Sequence, residues 1–226
     1  MADHYIYSPE TIIKAYSLGL FPMADSHASL DIKFYDPDRR ALIPIDHSLG
    51  RGVHIPRRLQ RRVRQAPYEV TLDQGFTAVI DACAAPSDQR TDTWINKDIR
   101  QLYIALHKMG FAHSIEVWLD GALIGGLYGV ALRAAFFGES MFSRKSDASK
   151  IALVHLMARL SYGNFLLLDA QFTNDHLQQF GVTEIDRSEF QGRLAEALAS
   201  DGDLHFDTLS AALVMPYLDQ LAKHQA

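Results

Sequence analysis

Two short apolar segments carry polar residues whose types and spacing suit chemistry. The first contains Glu139 and Met141, and the second contains Asp169 and Gln171. Successive side chains of a strand point to opposite faces, so the members of each pair share one face, roughly 7 Å apart. A carboxylate beside a methionine suits a ligand with an ammonium group and an apolar side chain, such as leucine. The Asp–Gln pair suits the orientation or deprotonation of a reacting group.

A buried polar network explains either pair equally well when each is taken alone, because buried polar groups normally satisfy one another. A buried polar network is a less satisfactory explanation for two such pairs on strands that are predicted to be neighbours. The combination therefore favours a functional site.

The segments around these pairs predict an antiparallel meander, then a buried helix, then one more strand. Residues 113–119 and 122–132, joined by a turn at Asp120 and Gly121, give the strongest hairpin signal in the chain. Residues 134–142 extend the meander. Residues 147–160 are apolar on nearly every side, as in a buried helix, and residues 165–172 return as a strand. This succession predicts an α+β protein with a mainly antiparallel sheet.

A small N-terminal unit is expected before this sheet. Ser8-Pro9-Glu10 has the cap, proline and acid of a helix start, and Gly19 supplies the stop. Residues 21–46 are predicted to form loops and short strands. We therefore expect a small N-terminal domain over residues 1–50 and a larger domain over residues 51–226. A later helix is predicted to begin with a capping box formed by Ser188 and Gln191.

A block of arginines stands out in a chain whose net charge is −5. Residues 51–64 contain no acid, and Pro56 can open a helix there. At about 100° per residue, most of these arginines share one face, opposite Leu59 and Val63. A solvated charged face usually mixes signs, so a block of one sign favours phosphate contacts. The predicted phosphate-binding residues are Arg57, Arg58, Arg61, Arg62 and Arg64.

The composition is that of a globular cytoplasmic protein. Of the 226 residues, 48% are hydrophobic, which is ample for a core. The single cysteine, Cys83, excludes an internal disulfide and fits a reducing compartment. Residues 1–5 lack the features of a signal peptide. The longest apolar stretch, residues 122–132, is broken by glycines, so we expect no membrane span.

Common catalytic signatures are missing from the sequence. Residues 138–142 begin like a nucleophile elbow, but Phe142 occupies the place of the second glycine. No HExxH, CxxC or P-loop motif occurs, so we expect neither a metal nor a cofactor. Residues 144–147, ahead of the predicted buried helix, lack the glycines of a pyrophosphate loop. This weakens the hypothesis of a coenzyme A–dependent acetyltransferase.

Seven blocks of sequence carry a resemblance to a known family. They are residues 19–22 (GLFP), 93–95 (TWI), 113–118 (HSIEVW), 125–130 (GGLYGV), 137–143 (FGESMFS), 147–150 (DASK) and 168–176 (LDAQFTNDH). In this order they resemble the leucyl/phenylalanyl-tRNA–protein transferases. The resemblance runs from about residue 8 to residue 190 and implies a GNAT-like acyltransferase domain.

The resemblance implies a reaction that suits an already activated donor. Leucine or phenylalanine would pass from aminoacyl-tRNA to the N-terminal α-amine of proteins that begin with Arg or Lys, marking them for N-degron proteolysis. The enzyme would mainly align the amine with the ester carbonyl and handle protons, without a cofactor. By the resemblance, Asp169 holds Gln171, which contacts the attacking amine, while Glu139 and Asn174 lie around the amino-acid moiety. Whether Asp169 is a base or an orienting group stays open.

The resemblance also implies residues that bind the rest of the donor. Leu127 and Met141 match positions that line the pocket for the Leu or Phe side chain. Trp94 matches a tryptophan that contacts the terminal adenosine, with a capping core aromatic as the alternative. Met23 stands where the best-known members have a second adenosine-binding tryptophan, so donor binding is expected to be built differently here.

Two further hypotheses make different predictions. A small-molecule N-acyltransferase would use coenzyme A and be indifferent to RNA. A tRNA-binding module whose site has decayed would bind tRNA without turnover, but the presence of Glu139, Asp169 and Gln171 argues against it.

Overall fold

The computed structural model describes residues 7–45, 52–65, 68–86 and 91–224. The expected domain boundary between residues 50 and 51 lies outside the described residues, and so does Arg51. Within the described chain the protein is α+β, as predicted. The helices are α1 (Pro9–Ser17), α2 (Arg57–Gln65), α3 (Phe76–Ala84), α4 (Lys97–Lys108), α5 (Ala148–Tyr162), α6 (Asp175–Gln178), α7 (Arg187–Ala199) and α8 (Ser210–His224).

The strands form a small and a large sheet. They are β1 (Phe21–Ala24), β2 (Ile32–Tyr35), β3 (Arg39–Leu42), β4 (Glu69–Leu72), β5 (Ala112–Leu119), β6 (Ala122–Leu132), β7 (Ala135–Ser143), β8 (Leu167–Gln171) and β9 (Thr183–Asp186). β1 and β2 pair antiparallel, and the other strands form a seven-stranded sheet in the order β4-β5-β6-β7-β8-β3-β9.

The large sheet is mixed, which corrects the prediction of a mainly antiparallel sheet. β7 and β8 pair in parallel, with Ala135 opposite Leu167 and Phe137 opposite Asp169. The cause is α5, which lies between these two strands in the chain. It returns the backbone to the end of the sheet at which β7 begins, so that β8 runs in the same direction, as in a βαβ unit.

One strand of the N-terminal segment belongs to the large sheet. β3 inserts between β8 and β9 and pairs antiparallel with both. Its register sets Ala41 opposite Gln171 and Leu42 opposite Asp169. The insertion brings Arg40 beside the strand that carries the predicted catalytic residues.

Helices cover both faces of the large sheet. α5 packs against β5, β6 and β7 together with α2 and α8, and one hydrophobic cluster fills this side. A second cluster fills the side covered by α1, α3, α4 and α7. α5 is buried along almost its whole length, as its apolar composition predicts.

The helix termini confirm one sequence prediction and overturn another. The Ser8 side chain accepts a hydrogen bond from the Thr11 backbone N–H and caps α1, and Gly19 follows with φ +82°, which favours glycine. The Ser188–Gln191 capping box is wrong: α7 follows directly on β9 and begins at Arg187. The Gln191 amide donates instead to the Leu18 carbonyl, at 3.1 Å.

The C-terminal helix α8 was not predicted from the sequence. Its apolar side chains Val214, Leu218 and Leu221 are buried against the α5 side of the sheet. Among the described helices, none combines the length and the apolar character that a membrane crossing needs.

Candidate active site

A cavity of about 260 Å³ opens beside β7 and β8. The parallel pairing of these strands ends at Phe137 and Asp169, and the cavity is lined by residues that follow this last pair. Its apolar lining comprises Ile43, Leu127, Met141, Leu153, Leu156, Leu168 and Leu177. Its polar lining includes Glu139, Ser140, Asp169 and Asn174.

A β-bulge aims Glu139. β6 and β7 pair Gly129 with Gly138 and then Tyr128 with Ser140, so Glu139 is the extra residue. A bulge of this kind commonly re-aims a side chain next to an active site. A Cβ on Gly129 would come within 2.3 Å of the Phe137 carbonyl oxygen, so the backbone here requires glycine.

The Glu139 carboxylate accepts three side-chain hydrogen bonds. Tyr16 Oη donates to Oε1 at 2.6 Å and Tyr103 Oη donates to Oε2 at 2.8 Å. Gln171 Nε2 donates to Oε1 at 3.0 Å. The two tyrosine hydroxyl oxygens are also in contact, but each hydroxyl carries one proton, so they do not hydrogen-bond to each other while both donate to Glu139.

Burial raises the pKa of Glu139 to about 7. The hydrogen bonds from Tyr16, Tyr103 and Gln171 oppose this rise, while the nearby charge of Asp169 adds to it. Burial also raises the pKa of Tyr16 and of Tyr103 well above the ordinary tyrosine value. The tyrosines are therefore neutral donors over the whole working range of pH.

Asp169 lies in a fully buried ion pair with Arg40. Arg40 Nε donates to both carboxylate oxygens, at 2.9 Å and 3.0 Å, and Nη2 donates to Oδ2 at 2.6 Å. Oδ1 also accepts the Gln171 backbone N–H at 2.8 Å. Both oxygens of Asp169 therefore already accept hydrogen bonds, from Arg40 and from the Gln171 backbone.

Gln171 has an unusual backbone. Its φ is +60°, in the left-handed region that residues other than glycine rarely adopt. The Phe172 N–H donates to the Ala170 carbonyl at 2.6 Å, so the chain makes a γ-turn about Gln171. Backbone strain of this kind, of order 1–3 kcal/mol, persists where surrounding contacts fix it and clusters at functional sites.

The predicted pocket residues meet in the cavity. Leu127 and Met141 are paired across β6 and β7 and both line it, opposite apolar side chains of α5. Asn174 also lines it, while its Oδ1 accepts the Leu177 backbone N–H at 3.0 Å and caps α6.

The predicted adenosine-binding residues lie outside this cavity. Trp94 is partly buried, just before the Asn96 cap of α4, and Met23 is partly buried on β1. Both pack against the hydrophobic cluster of the α1 side, together with Phe34 and Tyr35.

The arginine helix forms as α2, with Leu59 and Val63 buried on its inner side. Its arginines differ in their partners. Arg62 pairs with Asp147 at 2.9 Å, and Arg64 pairs with Asp219 at 2.8 Å. Within the described part of the chain, the exposed Arg57, Arg58 and Arg61 have no acidic partner.

Sequence reasoning missed three residues of the site: Arg40, Tyr16 and Tyr103. Arg40 had a usable signal, because it is a charge at the head of the apolar run at residues 41–43. The tyrosines had none, since both lie on helices whose inner faces are otherwise apolar. Over the described ranges, no three His, Cys, Asp or Glu side chains come close enough to hold a metal ion.

Comparison with known proteins identifies relatives along most of the chain. The family described as leucyl/phenylalanyl-tRNA protein transferase matches residues 49–195, and the N-terminal domain of that family matches residues 6–38. The leucyl/phenylalanyl-tRNA–protein transferase of Hyphomonas neptunium is 54% identical over 199 residues, which are 88% of this chain and 75% of the relative. Those of Phenylobacterium zucineum and Caulobacter vibrioides are 51% and 50% identical, over 88% of this chain and 88% and 89% of their own.

Identity at this level, over most of both chains, defines the class of the protein as an aminoacyltransferase. The chain belongs to the leucyl/phenylalanyl-tRNA–protein transferase family. The family resemblance inferred from the sequence motifs is confirmed.

Proposed function

We propose that this chain transfers leucine or phenylalanine from charged tRNA to the N-terminal α-amine of proteins that begin with Arg or Lys, and so marks them for N-degron proteolysis. The observation that carries the proposal is one cavity that combines a hydrogen-bonded carboxylate, Glu139, with apolar walls. The proposal includes a GNAT-like acyltransferase fold, supported by the parallel β7–α5–β8 unit, and a cytoplasmic location, where charged tRNA is available.

The donor's amino-acid moiety fits the cavity by its two ends. Its ammonium group would lie against Glu139, which offers an acceptor charge held in place by Tyr16 and Tyr103. Its side chain would lie between Leu127 and Met141. An apolar pocket separates side chains that differ by one methylene by only about 1–3 kcal/mol, so both leucine and phenylalanine are expected to be accepted.

Gln171 is placed to orient the acceptor. Because Nε2 donates to Glu139, the free end of the amide is Oε1, which can accept an N–H from the attacking amine. The acceptor nitrogen bonds to the ester carbonyl carbon, the bond to the terminal ribose oxygen breaks, and a proton of the amine passes to that oxygen. The ester is already activated, so alignment can supply most of the acceleration. Asp169, with both oxygens occupied, orients Gln171.

The tRNA would lie along α2. Arg57, Arg58 and Arg61 are exposed and have no acidic partner among the described residues, so they can neutralise phosphates without first breaking an ion pair seen there. The terminal adenosine would stack on Trp94, with Met23 beside it in place of a second aromatic ring. Arg62 and Arg64 are expected to contribute less to phosphate binding, because each already forms an ion pair, with Asp147 and Asp219 respectively.

In the decisive experiment, the protein is incubated with leucyl-tRNA and a peptide that begins with Arg, and the mass of the peptide is then measured by mass spectrometry. The expected result is the mass of one added leucyl group, with no addition to a peptide that begins with Ala. Glu139→Gln should weaken donor binding about 10- to 100-fold, since it removes a charged partner of the ammonium. Glu184→Gln, an exposed glutamate on β9, is the matched control.

Other outcomes separate the alternatives. Binding of tRNA without any change in peptide mass would leave a tRNA-binding module. Acylation that requires acetyl-coenzyme A and ignores leucyl-tRNA would establish a coenzyme A–dependent N-acyltransferase.

A further inference from the structure

We propose that Arg40 is a positioning residue of the transfer reaction, which acts through Asp169 on the backbone and side chain of Gln171. The inference rests on the proposed function, because it assigns Arg40 to the step in which Gln171 orients the acceptor. Arg40 is 1% exposed, and its guanidinium nitrogens donate to Asp169 and to the Gly19 carbonyl, so it would touch no reacting atom and is not a catalytic residue.

The guanidinium of Arg40 is held on several sides. It is 1% exposed, and its fork binds the Asp169 carboxylate. Nη1 donates to the Gly19 carbonyl at 2.9 Å. The rings of Phe21 and Phe190 lie 4.6 Å and 4.4 Å from the guanidinium carbon. Arg40 therefore ties β3, the end of α1, β1 and α7 to β8.

Gly19 and Phe21 explain the GLFP block of the sequence. A Cβ on Gly19 would come within 2.6 Å of the Gln191 amide and 3.1 Å of the Phe190 ring, and φ there is +82°. Glycine thus lets the carbonyl of residue 19 reach Arg40. The block that resembles the family at the N-terminus serves, in this structure, to hold one arginine.

The influence of Arg40 reaches the cavity in two steps. Asp169, fixed by Arg40, accepts the Gln171 backbone N–H at 2.8 Å. This contact holds the left-handed γ-turn at Gln171, and the turn directs Nε2 to Glu139 at 3.0 Å. If the Asp169 carboxylate were not fixed, the hydrogen bond that stabilises the strained backbone at Gln171 would be weakened, and the backbone would relax to a more common conformation.

A purely structural role is a poor explanation of the pair. A buried Arg–Asp pair stabilises a fold no better, in many cases, than apolar side chains of the same volume, because both charges must be desolvated. The pair instead holds the Asp169 carboxylate rigidly in one plane, so that Oδ1 can accept the Gln171 backbone N–H beside the cavity. Misplacement of a reacting group by about 1 Å can lower a rate on the order of 10²-fold.

The test is a double-mutant cycle on the single-turnover rate of leucyl transfer to an Arg-peptide. Arg40→Lys keeps the charge but loses the fork, and Gln171→Met keeps the length but loses the amide. We expect each variant to be slower by about 10²-fold, and the double variant to be no slower than either single one, because both remove the same orientation of Gln171. Rates that multiply to about 10⁴-fold, or a full-rate Arg40→Lys, overturn the proposal.

Two controls keep the outcome clear. Arg39→Lys, at the exposed neighbour that pairs with Asp186, should leave the rate unchanged. If Arg40→Lys fails to fold in a thermal melt, Asp169→Asn replaces it in the same cycle. Its loss should again not multiply with that of Gln171→Met, and a multiplied loss overturns the proposal. A wild-type protein that transfers no leucine contradicts the proposed function instead, independently of the cycle.

Discussion

Tyr16 and Tyr103 donate to opposite oxygens of the same carboxylate, Glu139, and their hydroxyl oxygens are in contact with each other. One tyrosine comes from α1 and the other from α4, so two helices on the same side of the sheet hold the Glu139 carboxylate in place. Asp169, on β8, is a further charged group close enough to Glu139 to influence its pKa.

We expect Tyr103→Phe to raise the pKa of Glu139. The substitution removes a hydrogen bond to the ionised carboxylate, and hydrogen bonds to charged groups contribute about 1.5–3 kcal/mol. The midpoint of the pH–rate profile should therefore move up by about 1–2 units from about 7. Single-turnover rates across pH measure it. Tyr162→Phe, on α5, is the control, and equal midpoints in the two variants would contradict the assignment.

The pKa of Glu139 also predicts how stability depends on pH. Folding raises this pKa from 4.5 to about 7, so between these values the folded state binds more protons than the unfolded state. Stability should therefore fall as pH rises through this window, by roughly 3 kcal/mol from this group, and show no further change from it above the window. Urea unfolding across pH, compared with Glu139→Gln, measures the difference. A difference that does not vary with pH would show that Glu139 titrates normally.

Three arginines of α2, Arg57, Arg58 and Arg61, have no acidic partner in the part of the chain that the structure describes, and their replacement should weaken tRNA binding and flatten its salt dependence. Each lost phosphate contact lowers the slope of log K against log salt by about one unit. The variant Arg57→Ala/Arg58→Ala/Arg61→Ala should therefore lose about three units of slope. Arg64→Ala, which removes an arginine already paired with Asp219, should change it less. The slope is measured from binding curves at several salt concentrations. Equal slopes for the wild type and the triple variant would show that α2 does not contact the tRNA.

Trp94→Leu should reduce donor affinity by roughly 1–3 kcal/mol if the indole ring stacks on the adenosine. Leucine retains part of the packing against the α1-side cluster, so the melting temperature should change little. Affinity for a leucyl-adenosine ester and a thermal melt are measured together. Unchanged affinity with a large drop in melting temperature would make Trp94 a core residue only.

The polar residues of the two predicted strands, Glu139 and Asp169, lie at one cavity because β7 pairs in parallel with β8. The expectation that Glu139 and Met141 share one face of the sheet is wrong. The bulge at Glu139 breaks the alternation, so its carboxylate bonds Tyr16 and Tyr103 of the α1-side cluster, while Met141 packs against the α5-side cluster. The sequence also held a sign of this pairing, because a buried helix between two strands is the pattern of a βαβ unit. Hairpin signals before β7 led to the expectation of a mainly antiparallel sheet.

Other features depend on contacts between distant positions, which local patterns do not report. The ion pair of Arg40 with Asp169 joins residues 129 positions apart. The bulge at Glu139 depends on the register of β6 against β7, and the turn at Gln171 depends on the Asp169 carboxylate. Such features become visible only when the tertiary structure sets the partners side by side.

The insertion of β3 between β8 and β9 has a consequence for how the protein is made. The strand that carries Arg40 leaves the ribosome long before its two neighbours do, and closing so long a loop is entropically slow. During synthesis β3 must remain without a partner strand of the large sheet until β8 has emerged. A nascent chain that stops before β8 can fold its central hairpin but lacks Asp169, so the ion pair with Arg40, and activity with it, should arise only late in folding.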